Sequence, residues 1–120
     1  MKYKYKQTRG PDLKDILKEV VGVFNVTLED VKRKCRKDVY VKCRRIYIYV
    51  ACMTTDATLV SIGELVGLED HKTCIFHREM AREYLRQDDP EFMTDWSNYT
   101  SKSQIWDEYK RHTFKSNNHK

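Results

Sequence analysis

The stretch at residues 61–81, SIGELVGLEDHKTCIFHREMA, restricts the fold of this chain more than any other. Ile62, Leu65 and Val66 make a short apolar face, and Gly63 lets another helix approach closely. Gly67 suits a turn, and Asp70 caps a second segment in which Cys74, Ile75, Ala81 and Leu85 point inward at helical spacing. Two such helices, the second beginning with the polar tip Asp70-His71-Lys72-Thr73, are the pattern of a helix-turn-helix. A first turn carrying those side chains suits reading the edges of base pairs in duplex DNA.

The remainder also reads as helical. Pro11 and Asp12 open a helix with Leu13, Ile16, Leu17, Val20, Val21 and Phe24 on one face and Lys14, Asp15, Lys18 and Glu19 on the other. Thr27, with Asp30 three residues on, forms a capping box for a short helix. Asp38 is the expected N-cap of a long helix whose single buried stripe is Val39, Cys43, Ile46, Val50 and Met53. Tyr40, Arg44 and Tyr47 share another face, so Arg44 is expected to project away from the core. Thr58 caps the helix that leads into the turn, and Asp88-Asp89-Pro90 ends the one that follows it. Phe92, Trp96, Ile105, Trp106, Tyr109 and Phe114 are spaced for one or two further helices, docked on the body or on a partner. The expected fold is all-α: a compact multi-helix domain with a helix-turn-helix, no strand and no repeat. Residues 1–10 form a basic arm, 11–87 the domain, and 88–120 a C-terminal helical extension ending in a tail.

Charge narrows the partner. The formal net charge is +5, and residues 32–45 hold eight Lys or Arg against a single acid, Asp38. Such a run is usually a solvated face; its place just before a long helix favours an anionic partner. No apolar run approaches the ~20 residues of a membrane span. The N-terminus, MKYKYKQTRG, lacks the apolar stretch of a signal peptide, so a cytoplasmic protein is expected. The four cysteines, at 35, 43, 52 and 74, include no C-x-x-C pair and read as reduced, mostly buried thiols without a metal.

Residues 13–87 resemble the C-terminal duplex-DNA-binding domain of the bacterial replication initiator DnaA, whose fold is Trp-repressor-like. One segment that carries the resemblance is the basic loop and long helix, KRKCRKDVYVKCRRIYIYVACMTT. The other is the signature, usually like IG-x-x-F-G-G-R-D-H-[ST]-T-V-x-H-A, matched here by Ile62-Gly63, Gly67, Asp70-His71 and Thr73, ungapped back to Arg44. The resemblance implies that Asp70 and His71 touch bases in the major groove and that Arg44 enters the adjacent minor groove. Lys72 stands where the family has Ser or Thr and is suited to donate to guanine. Phosphates fall to Thr73, to Thr58, and to the basic residues Lys32, Arg33, Lys34, Arg36, Lys37, Lys42 and Arg45. Leu68-Glu69 replaces Gly-Arg, Phe76 replaces the second His, and His77 stands one place later. These departures imply an altered or relaxed sequence preference. The initiator couples this domain to an ATPase, whereas this chain has no G-x-x-x-x-G-K-[ST] loop, so no ATPase activity or cofactor is expected of it. A bacterial, phage or mobile-element protein or fragment is implied.

Two other classes compete. The helical fold can serve as a protein-interaction module that has lost DNA recognition, such as a replication inhibitor or transcription regulator. Glu69 and the aromatic C-terminal region, as a surface for a replication or regulatory protein, favour that reading. An enzyme built on Asp70, His71 and Cys74 is disfavoured, because neighbouring helical residues point about 100° apart and no orienting residue is evident. Without the basic loop, Asp70 would be read as a cap alone and His71 as an ordinary exposed residue.

Overall fold

A computed structural model describes residues 10–33 and 35–118, with side chains through His112. The expected arm, apart from Gly10, and Lys34 therefore lie outside the described residues. The described chain forms α1 (Leu13–Phe24), α2 (Leu28–Lys32), α3 (Asp38–Thr54), α4 (Leu59–Glu64), α5 (His71–Gln87), α6 (Pro90–Thr100) and α7 (Gln104–Asn118). No strand occurs among the described residues.

Local chemistry sets most helix ends. Asp12 caps α1 by accepting from the Lys14 amide, and Asn25 closes it at φ 60°. Thr27 and Asp30 make the expected capping box reciprocally, at 3.0 and 3.1 Å. Thr58 accepts from the Ser61 amide, and Asp70 from the Lys72 amide. Asp88 ends α5 in the left-handed region, and Asp89 caps α6 with Pro90 in its first turn. Asp38 corrects its expectation. It lies inside the first turn of α3, and Lys37 occupies the cap with no side-chain bond.

α3 is the axis of the fold, contacting α1, α2, α4, α5 and α7. Partners on several sides bury more than one stripe: Arg44, Tyr47, Ile48 and Ala51 are buried along with Cys43, Ile46 and Val50. The expected outward face of Tyr40, Arg44 and Tyr47 is thus largely interior. Tyr47 is fully buried and its hydroxyl donates to the Ile62 carbonyl at 2.8 Å, which ties α3 to the helix-turn-helix. Burial would be costly for that hydroxyl without a partner.

The C-terminal aromatics dock on the body. Tyr49 of α3, Trp96 of α6 and Trp106 of α7 meet edge-on or tilted, with ring centres 5.0–6.3 Å apart. Phe92, Tyr99 and Trp106 join the main core. α7 continues to Asn118, into the segment expected to be a tail. Its start is held by Glu19, which was expected to face solvent. The Glu19 carboxylate accepts from the Tyr99 and Ser103 hydroxyls at 3.1 and 2.6 Å, and from the Gln104 and Ile105 amides at 2.9 and 3.2 Å.

Candidate nucleic-acid interface

The helix-turn-helix is drawn tight by its glycines. A Cβ at Gly63 would lie 2.7 Å from the Cys74 sulfur and 3.0 Å from the Leu68 carbonyl oxygen, so α4 packs directly on the Cys74 side chain and on the backbone of the turn. Gly67 takes φ 73°, and a Cβ there would fall 2.2 Å from the carbonyl oxygen of Lys32. The turn is thereby pressed against the point where the basic loop leaves α2.

Arg44 completes that junction. Its Nε donates to the Val31 carbonyl at 2.8 Å and its Nη2 to the Arg33 carbonyl at 2.5 Å. The residue is 7% exposed. The expectation that Arg44 projects away from the core is therefore corrected: the ends of α2 and of its C-cap need donors, and the fork of a guanidinium meets two carbonyls at once.

Between the loop and α5 lies an open cleft, lined on one side by Arg33 and Arg36 and on the other by Asp70, Thr73 and Phe76, with Arg44 and Arg45 also reaching it. His71 and Lys72 are exposed on the first turn of α5, and Thr73 is half-buried. Asp70 uses Oδ1 for the cap, 2.9 Å from the Lys72 amide. Lys32, Arg36 and Lys37 are exposed along the loop, and Arg33 is exposed while pairing with Asp30 at 3.1 Å. Thr58 is exposed at the start of α4, with its hydroxyl engaged in capping.

Two expected phosphate ligands are placed otherwise. Lys42 faces α6, its ammonium 3.5 Å from Glu91 and 3.2 Å from Asp95, because the acids of α6 offer a nearer counter-charge. Arg45 is half-buried. Its Nε donates to His77 Nδ1 at 3.2 Å, and its guanidinium lies 5.8 Å from the Phe76 ring and 5.7 Å from the Tyr84 ring. His77 is buried, and burial together with the charges of Arg45 and Arg44 pushes its pKa down to about 4. It is a neutral acceptor at pH 7. Phe76 is 54% exposed. Neither Phe76 nor His77 was assigned a role from sequence, although their departure from the usual signature was the available signal.

All four cysteines are free, and burial raises the thiol pKa of Cys43 to about 12 and that of Cys52 and Cys74 above the ordinary value. Among the described residues no group of three or more His, Cys, Asp or Glu is placed to hold a metal ion. No helix among them is long and apolar enough to cross a membrane.

A short helix, a glycine turn and a capped second helix beside a cationic loop are the layout of a DNA-binding helix-turn-helix module. Comparison with known proteins agrees. Residues 13–79 match the family described as the bacterial dnaA protein helix-turn-helix. Chromosomal replication initiator proteins DnaA from three strains of Streptococcus thermophilus are each 34% identical to this chain over 77 residues, covering 64% of it. The chain belongs to the bacterial DnaA helix-turn-helix family. The matched region spans 17% of the length of those relatives.

Proposed function

We propose that this chain binds duplex DNA sequence-specifically, in replication-origin recognition or its regulation, and does so in the bacterial cytoplasm without ATPase activity of its own. The observation that carries the reading is the lock between Gly67, Arg44 and the end of α2, which holds a cationic loop beside the polar tip of α5. DNA laid across both meets a reading element and a phosphate-neutralising element in fixed relation.

In this reading the first turn of α5 enters the major groove. Asp70 accepts from a cytosine amino group through its Oδ2, His71 and Lys72 donate to base edges, and Thr73 holds a phosphate. Lys32, Arg36 and Lys37 neutralise the neighbouring backbone. Arg44 acts as a positioning residue that braces the loop. Glu69, exposed at the rim of the cleft, repels a phosphate, which supports a sequence preference that differs from the usual family box. The alternative, a protein-interaction module, has Glu69 in its favour but draws less support from the aromatic C-terminal region, because Phe92, Tyr99 and Trp106 are buried against the body.

Selection from a randomised duplex pool tests the proposal. An enriched motif bound about 10³-fold more tightly than random duplex is expected. Replacing Arg36 or Lys37 with Ala should weaken all duplexes alike and reduce the salt slope by about one. Lys42→Ala, which removes an ammonium already paired with Glu91 and Asp95, should leave that slope in place. A pool that yields no motif sinks the proposal.

A further inference from the structure

We propose that Phe76 is a specificity-determining residue that makes an apolar contact with the 5-methyl group of a thymine in the major groove; this rests on the proposed DNA-binding reading. Its position carries the argument, since a single exposed aromatic is unremarkable by itself. Phe76 follows Lys72 by four residues and Thr73 by three, so it lies on the same face of α5 one turn beyond the tip. It lines the cleft that Asp70 and Thr73 line, opposite Arg36. A helix placed tip-first in a major groove brings that face over base edges.

The ring is also held in place. The Arg45 guanidinium lies 5.8 Å from the ring centre, and the His77 ring meets it edge-on at 5.7 Å. Arg45 is in turn fixed by its bond to the buried His77 and by Tyr84. A ring so braced loses little freedom on binding. It has no donor or acceptor, so the base feature it can recognise is apolar. In the major groove that feature is the methyl group of thymine, which cytosine, adenine and guanine lack.

The test uses the motif from the randomised duplex pool and replaces each of its thymines in turn with deoxyuridine, which removes only the methyl. One replacement should weaken binding of the native chain about three- to fivefold, the value of one buried methyl. Phe76→Ala should bind the thymine and uracil duplexes equally at that position, while Phe76→Leu should keep part of the preference. A motif in which every thymine tolerates uracil, or a Phe76→Ala protein that keeps the full preference, overturns the contact and leaves DNA recognition standing. A pool with no motif overturns the DNA-binding reading and this contact with it.

Discussion

Gly67 rests against the carbonyl oxygen of Lys32 so closely that a Cβ at position 67 would lie 2.2 Å from it. The backbone there also takes φ 73°. Two separate demands, left-handed conformation and absence of a side chain, fall on one residue that joins the helix-turn-helix to the start of the basic loop.

Gly67→Ala should therefore destabilise the fold by about 2–4 kcal/mol, through backbone strain together with a contact that no rotamer relieves. Urea denaturation followed by circular dichroism measures it. A loss below that of an ordinary surface substitution would mean that the turn and α2 separate easily.

Arg44→Lys separates bracing from reading. A lysine keeps the charge but cannot meet two carbonyls as a fork, so the Val31 or Arg33 carbonyl loses its partner at a cost of about 1–3 kcal/mol. As a brace, Arg44 governs where the whole loop lies. The variant should weaken every duplex alike and select the native protein's motif from a randomised pool. Selection of a different motif would show that Arg44 itself contacts a base.

The features legible in the sequence were those settled within a few residues. Thr27 with Asp30, Thr58 and Asp70 all cap as expected, because each bond spans two or three positions. Apart from the cap expected at Asp38, which falls one residue earlier on Lys37, the misplacements involve partners far along the chain. Helical periodicity assigned Arg44 and Tyr47 to an outer face. Their polar atoms find backbone carbonyls 11–15 residues away, and those bonds offset the cost of burying the polar groups. Lys42 belongs to the densest basic run, but the acids that claim it lie on α6. At Phe76 and His77 the resemblance marked a shift of one place. Only the packing of Arg45 between their rings and Tyr84 shows what the shift achieves.

His77 should make the fold sensitive to acid. Burial, then Arg45 and Arg44, hold its pKa near 4 instead of 6.5. Above pH 6.5 the imidazole is neutral in both folded and unfolded chains, so its contribution is constant. As pH falls from 6.5 towards 4, the unfolded chain takes up a proton that the folded chain refuses. Stability is lost across that window, by up to about 3 kcal/mol, and levels off below it. His77→Gln keeps an acceptor for Arg45 and removes the titration. The difference in unfolding free energy between native and variant chains should therefore slope between pH 4 and 6.5 and be flat above. A flat difference throughout would place His77 in contact with water.

Glu19 holds the C-terminal extension, and its replacement by the isosteric Gln should loosen that extension first. Glu19 Oε1 accepts from Tyr99 and Ser103, while Oε2 accepts from the Gln104 and Ile105 amides. Ser103 Oγ adds a bond from the Trp106 amide at 2.9 Å, so one carboxylate and one hydroxyl satisfy three successive amides at the start of α7. A Gln side chain has one acceptor oxygen. With that oxygen on the Gln104 and Ile105 amides, its NH2 group meets the Tyr99 and Ser103 hydroxyls, which must turn from donating to accepting, and the charge at the helix N-terminus is gone. The cost should be about 1–2 kcal/mol. Hydrogen exchange at the amides of residues 104–106 should speed up in Glu19→Gln more than at the amides of α3. Because Trp106 packs on Trp96 and Tyr49, tryptophan fluorescence should move to longer wavelength as α7 loosens. The motif selected from a duplex pool should stay unchanged, since the cleft lies on α5 and the basic loop. Equal acceleration of exchange throughout the chain would instead make the extension inseparable from the DNA-binding core.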